Sequence, residues 1–282
     1  METKIFLLIF LFAVGCFANQ EGVSLFLERG AQNLPVETKA LFDENYLKKH
    51  PSTISKASKP LIPKIIHQIW IGPNPVPEKV KWMMESWKEI NPTWEYKLWT
   101  NSDLDHFNMV NKKAFDILSN WGAKSDLWRC EILDRFGGVY VDVDFECLKP
   151  LDDLHEKYDF YCCILDGAEI ANGLIASSPH HPIMKACIER WQEIPFFPTK
   201  DPELIIALTG PVFFTNIVAE HLVKETGDLS IVFPQNYFFA LPRDFRFDFW
   251  NQKMDKSQIA KYLTEDSYAI HYWASTWQEN SF

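Results

Sequence analysis

The chain holds six cysteines but no C-x-x-C spacing. Without that spacing a structural zinc site has no ligand frame. Five of the six, Cys130, Cys147, Cys162, Cys163 and Cys187, lie outside the N-terminal apolar stretch, and an odd number cannot all pair within one chain. Basic tracts are also missing. The formal net charge is −10 and the pI is about 5.3. That balance excludes nucleic acid as a partner. A polyanionic substrate would need a metal ion or a local basic spot. There is no internal repeat, and no low-complexity segment beyond the linker-like "KKHPSTISKASKP". Only "IFLLIFLFAVGCFA", Ile5 to Ala18, is an unbroken apolar run. It is short for a bilayer span of about 20 residues. With "METK" before it, the run has the form of a signal peptide, cleaved after Ala18. An uncleaved signal anchor is the alternative, and "AVGC", ending at Cys16, also loosely resembles a bacterial lipoprotein box. No other stretch is expected to span a membrane, so membrane contact is expected at most through this segment. The expected location is the secretory pathway: Golgi lumen, secreted or periplasmic.

What is present in quantity is apolar and aromatic. Hydrophobic residues make up 47% of the 282, with 11 Trp, 22 Phe and 9 Tyr. That is ample for a core and leaves rings free to stack on a flat ligand. The length fits one large domain or two small ones. Residues 19–60 read as an extension or linker with a short helix near Val36 to Leu47. A globular domain is expected over 61–278. Within it "KIIHQIWI", "WEYKLW", "VYV", "FYCCIL", "NGLIAS", "LSIVF" and "SYAIHYW" read as strands. "PEKVKWMMESWKEI", "AKSDLWRCEILDRF", "HPIMKACIERW" and "PVFFTNIVAEHLV" have helical spacing. This alternation predicts an α/β fold with a largely parallel sheet covered on both faces. In such sheets ligands gather beyond the carboxyl ends of strands.

Two D-x-D pairs occur. "SDLDHF", with Asp103 and Asp105, opens a helix, where first-turn acids suit the dipole and Ser102 or Asp103 is a natural cap. "GGVYVDVDFE", with Asp142 and Asp144, instead ends an apolar strand. Two carboxylates aimed at one spot suit Mn²⁺ or Mg²⁺. The upstream helix brings Asp126 and Arg129, three apart and so on one face. Taken singly, each feature also has a plain reading. Solvated loop acids, a surface ion pair, a core tryptophan at Trp70 or a hydrogen-bonded core histidine at His271 would need no chemistry.

Together, "SDLWRCEILDRFGGVYVDVDFECLKPLDDL" resembles the D-x-D sugar transferases of glycosyltransferase family 32. Its members include the yeast Golgi initiating mannosyltransferase and the mannosyl inositol-phosphorylceramide synthases. The glucosylating clostridial toxins are structurally related. The shared order is S-D-x-x-R, an apolar helix, then G-G-x-Y-x-D-x-D. "IPKIIHQIWIG", "NGLIASSPHHP", "TGP" and "HYWASTW" resemble the family's other motifs, so the resemblance spans about residues 61 to 278. It implies a GT-A type fold, with a Rossmann-like nucleotide-binding half, a mixed sheet and an acceptor half. It implies a retaining hexosyltransferase with a nucleotide-sugar donor and a glycan, glycolipid or protein acceptor. By the same resemblance Asp144 would bind the metal, and Asp142 the ribose, the sugar and metal-bound water. Asp126 and Arg129 would hold sugar hydroxyls and Trp70 would stack on the base. His271 or Ser275 would complete the metal site, Trp277 would donate to the diphosphate, and Asn172 would contact acceptor or sugar. No residue is an obvious nucleophile, so front-face attack is expected. Two rivals remain at this stage. One is a haloacid-dehalogenase-like phosphatase, suggested by the strand ending in D-x-D. The other is a secreted binding protein that has lost catalysis.

Overall fold

In the computed structural model, residues 36–165, 169–224, 226–251 and 255–274 are described. The order of elements begins α1 (Val36–Lys48), β1 (Ile65–Ile69), α2 (Glu78–Ile90), β2 (Glu95–Trp99), α3 (Asn101–Leu104) and α4 (Lys112–Ile117). It continues α5 (Trp121–Phe136), β3 (Gly138–Val141), β4 (Phe145–Cys147), α6 (Asp152–His155), β5 (Phe160–Ile164) and β6 (Ile170–Ser177). Then come α7 (Pro182–Glu193), α8 (Pro202–Leu208), α9 (Pro211–Val223) and β7 (Ser230–Phe233). The last are α10 (Arg246–Trp250), α11 (Lys256–Ile259) and β8 (Ala269–His271).

A six-stranded sheet runs β2-β1-β3-β6-β5-β7. Its inner strands are buried on both sides, while the edge strand β2 is only partly covered. In β3, Val139 and Val141 enter one core with Trp87 and Phe145, while Tyr140 enters the other with Trp128 and Leu133. Period-2 alternation between two apolar layers is why such strands read as continuous hydrophobic runs. The α/β class is therefore as expected, but the sheet is mixed rather than largely parallel. β1 pairs parallel with β2 and β3, and β5 with β7, whereas β6 is antiparallel to both β3 and β5. The cause is local. Only residues 165–169 join β5 to β6, too few for a parallel crossover.

Several elements differ in detail from their sequence reading. "SYAIHYW" does not join the main sheet; β8 pairs antiparallel with β4, matching Phe145 to His271. α3 is one short turn capped by Thr100, with Asp103 closing a capping box at its third position. Asp103 also bonds Lys97 at 2.6 Å. Residues 202–223 have the length and hydropathy of a membrane span, but they are 67% buried, and the sequence breaks into α8 and α9 at Thr209-Gly210. α1, within the stretch read as an extension, packs Phe42 into the core. Its Asn45 amide donates to the Ser230 carbonyl and accepts from the Val232 amide, covering the edge strand β7. The five cysteines are free thiols, all buried. The N-terminal apolar run, Ser275 and Trp277 lie outside the described residues.

Candidate active site

Asp142 follows β3 directly, and its position is fixed from both sides. The antiparallel ladder β3–β6 continues past Val141 through a 2.8 Å bond from the Asp142 amide to the Gly173 carbonyl. This sets the start of β6 beside the carboxyl end of β3. A Cβ on Gly173 would lie 2.7 Å from Asp142 Oδ2, so only glycine leaves room for the carboxylate. At the other end of β3, Gly138 sits at φ +98°, and a Cβ there would lie 2.5 Å from the Ile65 carbonyl. The Gly-Gly pair thus lets β3 close against β1.

Asp144 is held by the C-terminal segment. The β4–β8 pairing brings His271 Nε2 to 3.2 Å from Asp144 Oδ1. The Ala274 amide donates to Oδ2 at 2.7 Å, and the Tyr272 amide to the Asp144 carbonyl at 3.0 Å. Asp142, Asp144 and His271 each offer a ligand atom, and these lie within 4.8 Å of one another. Burial favours a protonated Asp144, but His271 and the Ala274 amide outweigh it and hold the carboxyl below its ordinary value. Asp142 goes the other way. Burial raises it, Asp144 adds to the rise, and Arg129 and the Tyr140 hydroxyl oppose it.

α5 supplies the cation. It starts on an Asn120 cap, which places Asp126 and Arg129 in its second and third turns. Arg129 is buried and lies between two acids, 3.1 Å from Asp126 and 3.4 Å from Asp142. It also donates to the Asn172 carbonyl at 2.6 Å and lies 4.3 Å from the Tyr140 ring centre. Tyr140 in turn donates to Asp142 Oδ1 at 2.6 Å. Asp126 Oδ1 accepts from the Asn172 amide at 2.9 Å, and Oδ2 from Thr209 Oγ1 at 2.9 Å. Burial pushes the Asp126 carboxyl up to about 6 against the pull of Arg129, Thr209 and Asn172. One lone-pair direction on Oδ2 is left over, enough for one more donor.

These side chains line a cleft of about 280 Å³. Trp70, just beyond β1, is on its wall, with its indole N–H bonded to the Asn74 carbonyl at 2.8 Å. The structure therefore brings Trp70, Asp126, Arg129, Asp142, Asp144, Asn172 and His271 to one cavity at the carboxyl ends of β1 and β3. Asp103 and Asp105 are not in it. The carboxylates of Asp126, Asp142 and Asp144 against the Arg129 guanidinium leave a formal charge of −2 on these four side chains. A divalent cation matches that surplus, and the oxygen and imidazole donors suit Mn²⁺ or Mg²⁺.

Other cleft residues escaped the sequence reading: Tyr140, Trp121, Glu169, Arg243 and Trp273; so did Thr209, which bonds Asp126. Tyr140 had a signal, since period 2 puts it on the same strand face as Asp142. Thr209 lies in the quoted "TGP" but gave no sign of its bond to Asp126 across 83 positions. Trp121 covers Gly72, its indole 3.2 Å from where a Cβ would sit. Burial raises the Glu169 carboxyl, and Arg243 opposes that.

Residues 77–161, which hold Asp126, Arg129, Asp142 and Asp144, match the family described as "glycosyltransferase sugar-binding region containing DXD motif". That match falls on the stretch whose motifs resembled the D-x-D sugar transferases. Among its relatives is inositol phosphoceramide mannosyltransferase 2 of Schizosaccharomyces pombe, 27% identical over 79% of this chain and 60% of that protein. A mannosyl phosphorylinositol ceramide synthase of Saccharomyces cerevisiae is 28% identical over 66% of this chain and 51% of that one. The chain thus spans about half to three fifths of the length of these relatives. Among solved structures, the PaToxG glycosyltransferase superposes with a TM-score of 0.48 at 18% identity, over 68% of this chain and 80% of that one.

Proposed function

We propose that this chain is a retaining, metal-dependent glycosyltransferase that moves a hexose from a nucleotide sugar to a hydroxyl of a glycan, lipid or protein. One observation carries the reading. Asp142, Asp144 and His271 converge at the end of β3, inside the cleft that also holds the buried Asp126–Arg129 pair. The relatives' names, mannosyltransferases and ceramide synthases, support the reaction class.

Asp144 and His271, with Asp142, would hold Mn²⁺ or Mg²⁺, with Ser275 the second candidate for the last protein ligand; a divalent ion held there would supply charge neutralisation for a diphosphate leaving group. Trp70 stacks on the nucleobase and Trp277 donates its indole N–H to the diphosphate. Asp126 accepts from a donor-sugar hydroxyl with the free lone pair of Oδ2. Arg129 fixes the directions of Asp126 and Asp142. Asn172 orients Asp126 and faces the sugar or acceptor. The acceptor attacks from the front face, and its proton passes to the departing phosphate oxygen. The N-terminal apolar segment supports a place in the secretory pathway. A phosphatase with Asp142 as nucleophile is disfavoured, because Tyr140 and Arg129 already engage Oδ1.

The test is release of nucleoside diphosphate. Purified chain is incubated with Mn²⁺ and a panel of GDP- and UDP-sugars. Slow hydrolysis of one donor, lost in Asp144→Asn, is expected. Activity on p-nitrophenyl phosphate with none on any sugar nucleotide would overturn the proposal.

A further inference from the structure

Two charged side chains of the cleft take no part in the chemistry above. Glu169 immediately precedes β6, where its carbonyl accepts from the Leu165 amide at 2.6 Å. Its side chain is half-buried and lines the cleft. Arg243 enters the same lining from the turn that follows Leu241, and it is exposed. Arg243 is close enough for its charge to pull on the Glu169 carboxyl, yet the two form no ion pair. Among the described residues neither side chain has a hydrogen-bond partner. Asp244 and Arg246 flank Arg243 along the chain but do not line the cleft. A carboxylate half out of water is costly to leave unmet, and burial already disfavours its charged form. An unmet acceptor opposite unmet donors points to a ligand that supplies both complements.

A third residue stands beside them. Trp273 follows His271 by two positions and also lines the cleft. Its φ is +54°, in the left-handed region that bulky side chains rarely adopt and that collects at ligand sites. The indole N–H donates to the Leu241 carbonyl at 2.9 Å, and the ring centre lies 4.2 Å from that of His271. The strained backbone and the anchored N–H fix this indole as a wall of the cleft.

Charge narrows the class of ligand. The carboxylates of Asp126, Asp142, Asp144 and Glu169 against the guanidinium groups of Arg129 and Arg243 leave the lining a formal −2. A divalent ion would offset that surplus, and a donor diphosphate would restore it. An anionic ligand is therefore repelled at Glu169, and an ammonium at Arg243. A neutral polyol ring avoids both penalties. Its neighbouring hydroxyls donate to the carboxylate and accept from the guanidinium, while its C–H face packs on an indole.

We propose that Glu169 and Arg243, beside Trp273, form a subsite for a neutral polyol ring, a sugar or a cyclitol, held through neighbouring hydroxyls. That this ring is the acceptor rests on the transferase reading; that it binds does not.

The test is a saturation-transfer NMR titration of the full chain, with and without Mg²⁺ and GDP or UDP. The probes are the methyl glycosides of mannose, galactose and glucose, and myo-inositol. The 6-phosphates of the same sugars and myo-inositol 1-phosphate are their anionic counterparts. At least one neutral ring should bind saturably, and more tightly than its phosphorylated form. Either a glycoside or the cyclitol as the preferred ring supports the subsite and names its source. Arg243→Ala should weaken that ring about tenfold or more, the loss of one charge-assisted hydrogen bond. Glu169→Gln should weaken the neutral ring but strengthen the phosphorylated one, a split of sign that a damaged fold would not produce. Glu95→Gln, exposed on the edge strand β2, should change neither. No saturable binding of any neutral ring would overturn the proposal. So would tighter binding of the phosphorylated form by the wild type, or affinities unchanged in both variants. Nucleoside diphosphate release is read separately: its failure with polyol binding intact removes the transferase reading and leaves the subsite.

Discussion

Replacing Arg129 with methionine tests the electrostatic core of the site. The guanidinium is buried and sits 3.1 Å from Asp126 and 3.4 Å from Asp142. Methionine keeps most of the volume but strands the carboxylates. Breaking a buried pair by removing one partner costs about 3–5 kcal/mol. The two acids should not share this loss equally. The Asp126 side chain is 10% exposed and that of Asp142 is 32%, so solvent screens the second pair more. A double-mutant cycle measures the split. Urea denaturation of Arg129→Met, Asp126→Asn and their combination should give a coupling of about 2 kcal/mol or more. The cycle with Asp142→Asn should give about 1 kcal/mol or less. A total cost for Arg129→Met below about 1 kcal/mol would refute the reasoning, since that is the range of exposed pairs. So would equal couplings to both acids.

Other outcomes follow from the same geometry. Gly173→Ala places a Cβ 2.7 Å from Asp142 Oδ2, and should lower donor turnover at least about tenfold, with stability changed by about 1–3 kcal/mol. Steady-state kinetics and urea melts check both. Trp70→Ala should weaken nucleoside diphosphate binding by about 1–3 kcal/mol in calorimetry, by loss of base stacking. Asp126, raised to about 6, binds its proton more tightly folded than unfolded. Its contribution to stability is thus full below the unfolded value near 4 and is lost as pH rises through about 6. The metal-free wild type should lose about 3 kcal/mol from this group over that window, and Asp126→Asn should not. Thermal melts between those pH values compare the two.

Much of this was legible because the signals are local. β1, β3 and β5 are rich in β-branched and aromatic residues and bounded by turn residues. α5 ends where glycine must follow. The D-x-D, Asp126 and Arg129 sit in one short stretch, so their proximity followed from a helix, a turn and a strand. What stayed hidden depends on pairing across the chain. Nothing local to "AIH" says that β8 leaves the main sheet for β4, yet that pairing puts His271 on Asp144. The span-like stretch 202–223 shows the limit of hydropathy: a core helix pair and a membrane helix share a composition, and only packing separates them. Likewise the Thr209–Asp126 bond joins distant motifs whose individual sequences suit any helix start.

The central claim is that "DVD" after β3 holds a divalent ion while "DLD" in α3 serves a helix start. Titration of Mn²⁺ into the chain in the presence of a nucleoside diphosphate, followed by electron paramagnetic resonance, tests it most directly. The account predicts a bound-ion signal that is lost in Asp144→Asn and weakened in His271→Ala, and that Asp103→Asn leaves intact. Binding that survives Asp144→Asn unchanged, or that disappears with Asp103→Asn, would contradict it.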